Sequence, residues 1–205
     1  MIEGGGNTME YSAGMVSKLF WLLETRKTAE LLIQEKSINE IKLLAINENI
    51  YQVQSDDRAS RIAGVTIKRL QGLSHDLVEQ IVNGDVATAK LIILISIMKT
   101  DRLFFQFMHE VYRTAIIVGD QAITDQALNT FFEEKITQSE RVAKWSESTI
   151  KRLKQCYIGI LYEAGVVMKN EKHRNIMPPH INYKLKKQLE DDGLTPYLNA
   201  VTGEA

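Results

Sequence analysis

The sequence predicts a predominantly all-α protein: a helical bundle with an N-terminal helix-turn-helix and a C-terminal winged helix-turn-helix carrying a small β wing. Three observations predict it. Apolar residues recur at helical spacing along most of the chain. Capping residues stand ahead of these runs, and Gly165 closes the longest of them. A strand-like run, Val166-Val167-Met168, follows that longest helix and leads into the polar segment from Lys169 to Arg174.

Three parts follow from this reading: a leader at 1–8, an N-terminal helical domain at 9–119 and a winged domain at 120–205. MIEGGGNT predicts a disordered leader, and its Glu-Gly-Gly-Gly run resembles a translated ribosome-binding sequence upstream of Met9, a candidate natural start. Ser17 to Glu35 has helical periodicity. Ser37 and Glu40 form a capping box opening a second helix to about Ile46. Ser55, with Asp56 and Asp57 in the first turn, opens a third. Its apolar side is Ala59, Ile62, Ala63, Thr66, Leu70 and Leu73; Arg58, Arg61, Lys68 and Arg69 are placed on the other side. Residues 75–119 are the most apolar and predict buried helices around Leu77–Val82, Leu91–Met98 and Leu103–Tyr112, with a boundary near Gly119-Asp120.

In the C-terminal part, Thr124 caps a helix with Leu128, Phe131 and Phe132, and Ser139 opens a short second one. Ser146 caps a third helix running to about Ala164. One face of it carries Ile150, Leu153, Tyr157, Ile160, Leu161 and Ala164, which predicts burial. The opposite face carries Ser148, Lys151, Arg152 and Gln155 near the helix N-terminus, where a recognition helix reaches base edges. Asn182 to Glu190 predicts a short helix, and Leu194 to Leu198 a final turn.

Net charge is −1, but it is unevenly placed. Residues 135–187 hold twelve Lys or Arg against four acids, a local +8. A basic surface on a neutral chain is the footprint expected for phosphate contact. The candidate DNA-binding residues are therefore Ser148, Lys151, Arg152 and Gln155 for the groove, with Lys144 and Ser146 near phosphates. Lys169, Lys172 and Arg174 are expected on the wing, with Arg58, Arg61, Lys68 and Arg69 as a second contact. The first alternative is a protein–protein adaptor, for which an exposed apolar patch on the recognition face would be expected. Single-strand or RNA binding would want aromatics on the basic face, whereas Tyr157 lies on the core side.

Catalytic chemistry finds no support. Gly4-Gly5-Gly6 lacks the ending of a phosphate loop, no Gly-x-Ser-x-Gly elbow occurs, and the four histidines have no i, i+4 pairing. The expectation is no enzyme activity, cofactor or metal. Cys156 stands alone, so no disulfide framework exists, and its place beside Tyr157 predicts a half-buried packing residue. No secretory signal is present, and the apolar run at Leu91–Ile95 is far short of the roughly 18–20 residues of a membrane span. A cytoplasmic protein with no membrane partner is expected.

Several blocks also resemble the BrxA family, small accessory components of BREX bacteriophage-exclusion systems. They are Tyr11-Ser-Ala-Gly14 with Leu19-Phe-Trp21, Met98-Lys-Thr-Asp-Arg-Leu-Phe-Phe105 and Glu110-Val-Tyr-Arg113. Ser139-Glu-Arg-Val-Ala-Lys-Trp145, Leu153-Lys-Gln-Cys-Tyr157 and Pro196-Tyr-Leu-Asn-Ala-Val-Thr-Gly203 complete the set. The resemblance covers nearly the whole chain from Met9. It implies a mainly helical DNA-binding protein with helix-turn-helix units at both ends and a non-enzymatic role in phage defence; double-stranded DNA is the expected ligand, with other BREX components as candidate partners. The family has been likened to a helical RNA-binding antitermination fold, so RNA stays an alternative ligand. Members have also been labelled inner-membrane proteins, which the lengths of the apolar runs here contradict.

Overall fold

The computed structural model describes residues 9–170 and 173–204. The expected leader at 1–8 and the side chains of Lys169 and Lys172 lie outside the described residues. The architecture is predominantly helical with one small antiparallel hairpin.

A 3-10 turn, Ala13–Ser17, precedes α1 (Leu22–Ile33), α2 (Ile38–Asn47) and α3 (Asp56–Leu70). The expected capping box opens α2: the Glu40 amide donates to the Ser37 hydroxyl and the Ser37 amide donates to the Glu40 carboxylate. The Ser55 hydroxyl caps α3 by accepting from the Arg58 amide. These three helices bury a core of their own, with Trp21, Leu31, Ile41, Ala45, Tyr51, Ile62 and Ile67. The first helix begins later than its periodicity suggests. Trp21 sits in the left-handed region at φ 55°, so residues 18–21 form an irregular bend rather than a first turn.

That bend explains Arg69, which is a correction to the sequence reading. Arg69 is 2% exposed and does not reach the surface of α3. Its guanidinium donates to the carbonyls of Leu19 at 2.9 Å, Phe20 at 3.1 Å and Lys18 at 3.3 Å. It also lies 5.8 Å from the centre of the Trp21 ring. The carbonyls of a non-helical bend have no helical partners, and a buried planar donor fork supplies them. Burial pulls the Arg69 pKa down to about 10, which leaves it cationic at neutral pH.

Next come α4 (His75–Asn83) and α5 (Val86–Thr100). Asp85 caps α5 by accepting from the Thr88 amide at 2.7 Å. Every residue from Leu91 to Met98 on α5 is buried, so the helix is apolar all round and central. It packs against α1, α3 and α4, and also against α6 (Arg102–Phe107), α10 (Glu147–Ala164) and α12 (Thr195–Thr202). A π-helical turn, Met108–Tyr112, joins α6 to α7 (Arg113–Val118) without a break in direction of the chain.

The remaining elements are α8 (Asp125–Gln138), α9 (Glu140–Ala143), β1 (Val167–Asn170), β2 (His173–Ile176) and α11 (Tyr183–Asp191). The strands pair with Val167 opposite Ile176 and Asn170 opposite His173. Residues 121–123 add to the outer edge of β2: Ile123 donates to Arg174 and Ile176 donates to Gln121. Leu194 to Leu198 is not a final turn. It opens a helix, α12, with Pro196 in its first turn and its apolar face on the core.

One continuous hydrophobic cluster reaches from Met15 through α5 to Val201. The position near Gly119-Asp120 is therefore not a break in packing, although a left-handed Gly119 at φ 80° does end α7 there.

Two stability predictions follow. Arg69→Met keeps the stem but strands three carbonyls, so urea unfolding should show a loss of about 2–3 kcal/mol. The Tyr157 hydroxyl is buried with no hydrogen-bond partner among the described residues. Tyr157→Phe should therefore raise stability by about 1 kcal/mol in the same assay, and a loss would show that the hydroxyl has a partner.

Candidate nucleic-acid interface

The candidate surface is the outer face of α10, and the core beneath it holds it in place. The predicted inner face is buried throughout: Ile150, Leu153, Tyr157, Ile160, Leu161 and Ala164 all enter the main core, with Ile158 beside them. Tyr157 is the hub. Its ring lies 5.0 Å from Phe104 of α6, edge to face, and 5.8 Å from Phe132 of α8. Phe107 meets Phe131 at 5.6 Å, also edge to face. Helices α6, α8 and α10 are thus locked through aromatic rings.

Helix ends set the direction. The Ser146 hydroxyl accepts from the Thr149 amide at 3.2 Å and caps α10. At the other end Gly165 takes φ 80°, which lets the chain turn at once into Val166 and β1. Val166 is tied down by the buried Tyr112 hydroxyl, which donates to its carbonyl at 3.1 Å. Burial raises the Tyr112 pKa, so this donor stays protonated.

Ser148, Lys151, Arg152 and Gln155 are all exposed on the face opposite the core, and Lys144 and Ser146 are exposed just ahead of them. Among the described residues, Lys144, Lys151 and Arg152 form no ion pair with an acid. The two α10 cations therefore stand one turn inside a capped helix N-terminus, where the helix dipole also favours an anion.

Other cations in this stretch are engaged within the fold. Lys135 is 3% exposed and pairs with Glu110 of the π-helical turn at 2.7 Å. Lys154 donates to Asn129 of α8 at 2.6 Å. Arg174 on β2 pairs with Asp125, the first residue of α8, at 2.7 Å, so this wing cation staples the hairpin to α8. Lys186 pairs with Glu204 at 2.5 Å. The local +8 is thus divided between structural cations and a smaller exposed group. Nothing in the spacing of residues distinguishes the two, because the partners lie 18 to 49 positions away and arrive from another element.

At the other end of the molecule, Arg58, Arg61 and Lys68 are exposed on α3, and Arg69 is not. The N-terminal set therefore shrinks to three cations. Their hydroxyl-rich underside is structural: Thr28 bridges Tyr51 at 2.7 Å and Thr66 at 2.9 Å inside the small core.

Comparison with known proteins decides the family. The BrxA family model matches residues 9–193. The chain belongs to the BrxA family. A relative from Bacillus cereus (strain H3081.97), named BREX protein BrxA, is 39% identical over 194 residues, covering 95% of this chain and 97% of the relative. A second protein of that name, from Paramagnetospirillum magneticum (strain ATCC 700264 / AMB-1), is 21% identical over 164 residues, 80% of this chain and 82% of its own. A solved structure, a crystal structure of an uncharacterized protein from Magnetospirillum magneticum, superposes with a TM-score of 0.81 over 96% of this chain and 100% of that one. At 18% identity it shows a shared fold and nothing further.

Three further chemical features bear on this BrxA chain. No described helix is long and apolar enough to cross a membrane. Among the described residues no group of three His, Cys, Asp or Glu side chains converges to hold a metal. Cys156 is half-buried as its position predicts, its thiol directed at the Met15 carbonyl at 3.1 Å. Burial pushes that thiol up to about 11. Iodoacetamide at pH 8 should therefore label Cys156 at least tenfold more slowly than a free cysteine of ordinary pKa, read by mass spectrometry, since the thiolate is the reactive form.

Proposed function

We propose that this chain is a non-enzymatic, duplex-DNA-binding accessory protein of a BREX phage-defence system, acting in the cytoplasm. The observation that carries the reading is the exposed face Ser148, Lys151, Arg152 and Gln155 on a helix whose other face is locked in the core. The elements around it support a winged helix-turn-helix. In order they are α6 to α7, the edge segment 121–123, α8, the short α9, α10 and the β1–β2 hairpin. In such an arrangement α10 enters the major groove, the preceding helices approach the backbone and the hairpin is the wing.

Lys151 and Arg152 then meet base edges or phosphates, while Ser148 and Gln155 donate and accept along the groove floor. Lys144 and Ser146 lie toward the backbone. Lys169 and Lys172 are assigned to the wing from the sequence alone, and Arg174 pairs with Asp125 of α8. The N-terminal helices support a second contact through Arg58, Arg61 and Lys68. Other BREX components are the expected protein partners, a reading supported by the names of the relatives.

The test is a fluorescence-anisotropy titration against duplex DNA, single-stranded DNA and structured RNA at two or more salt concentrations. Duplex DNA should bind most tightly. Log affinity should fall linearly with log salt, with a slope of about −0.9 for each phosphate neutralised. Lys151→Glu with Arg152→Glu should abolish duplex binding at moderate salt and leave the far-UV circular dichroism unchanged. Unchanged affinity in the double variant refutes the assignment of this face, and preferred binding of RNA refutes the ligand.

A further inference from the structure

The segment from Met9 to Ser17 is not a loose start but a strap laid across the C-terminal half. Tyr11 donates its hydroxyl to Gln106 of α6 at 2.7 Å, and the Arg102 guanidinium sits 4.6 Å from the centre of its ring. Met15 is buried in the main core, and its carbonyl accepts from Cys156 on α10. These contacts fix the strap over α6 and α10. They bring Glu10 to Arg141 on α9, where the Arg141 guanidinium and the Glu10 carboxylate form an ion pair between residues 131 positions apart.

The place of Arg141 is what matters. Helix α9 immediately precedes the capped N-terminus of α10, and Lys144 follows Arg141 by three residues on the same exposed stretch. In a helix-turn-helix the element ahead of the recognition helix crosses the phosphate backbone. Both partners of the pair are open to solvent, with side-chain exposures of 54% for Arg141 and 77% for Glu10. An exposed pair of this kind contributes little to stability and exchanges readily for another anion. A phosphate offers the same fork-shaped acceptor as the carboxylate it would replace.

We propose that Arg141 is a further phosphate-contacting residue of the duplex interface, and that Glu10 of the N-terminal strap masks it until a backbone phosphate displaces the carboxylate. This rests on the DNA-binding reading above. The strap carries the competing charge on a firmly seated segment, so Glu10 stays close after displacement and re-forms the pair when DNA leaves. Weak or transient phosphate contacts are thereby penalised relative to a fully docked duplex.

The test is a double-mutant cycle in the full chain, read by anisotropy on duplex DNA over a salt series, with wild type, Glu10→Gln, Arg141→Gln and the double variant. Glu10→Gln should tighten binding about two- to fivefold, the factor expected for one exposed ion pair. Arg141→Gln should weaken binding and make the log–log salt slope shallower by about 0.9, one phosphate contact. In the Arg141→Gln background, Glu10→Gln should give much less tightening. Equal tightening in both backgrounds, or none in either, overturns the mask. An unchanged salt slope in Arg141→Gln overturns the phosphate contact. If wild type binds duplex DNA and Lys151→Glu with Arg152→Glu abolishes it, those failures concern this inference alone. If wild type binds no duplex, both it and the reading it rests on fall.

Discussion

The rest of the structure depends on the burial of α5. A helix with no polar face from Leu91 to Met98 has no stable position at a surface, so its neighbours must enclose it. They come from both halves of the chain: α1, α3 and α4 on one side, α6, α10 and α12 on others. That constraint gathers segments from both sides of residue 119 into the main core, beside the smaller core of α1 to α3. It also gives α10 a rigid bed. A recognition surface needs its side chains held at fixed positions, and elements locked by packing hold them better than loops do.

The second organising feature is the division of labour among cations. Arg69, Lys135 and Arg174 each answer a structural need: unpaired carbonyls in a bend, a carboxylate on a π-helical turn, a hairpin to be fastened to α8. A buried cation is tolerated only with such partners, because desolvation otherwise exceeds any gain. The cations without acidic partners on α9's flank and α10 are those whose hydration survives in the folded state. Lys151 and Arg152 are exposed and keep their water. This contrast, more than the overall charge count, separates cations that build the fold from cations that face solvent.

Membership of the BrxA family and the match to a solved fold over nearly the whole chain agree with this architecture. The arrangement has a small helical unit with its own core and a helix–hairpin unit. Each carries exposed basic residues. The strap that begins the described chain joins α6 to the approach to α10, so the N-terminal segment lies beside the candidate interface.

Local signals read well from the sequence because their physics is local. The Ser37–Glu40 capping box, the Ser55 and Ser146 caps, the Gly165 stop and the inner face of α10 each involve residues within one or two turns. Their alternation also exposed Ser148, Lys151, Arg152 and Gln155 as one face. Other features depended on groups distant in the chain. Arg69 looked like a surface cation because its three acceptors lie some fifty residues earlier, in a bend created by the left-handed Trp21. The helical state of 195–202 came from packing against α5, α7 and α11 rather than from a periodic run long enough to be diagnostic. The sequence by itself determined the helical class, most helix ends and the candidate basic face, since hydrogen bonding along a helix and amphipathic spacing are short-range. The tertiary structure decided which cations stay exposed and unpaired among the described residues and that Glu10 meets Arg141, since a charge is spent or spared by what the fold brings next to it.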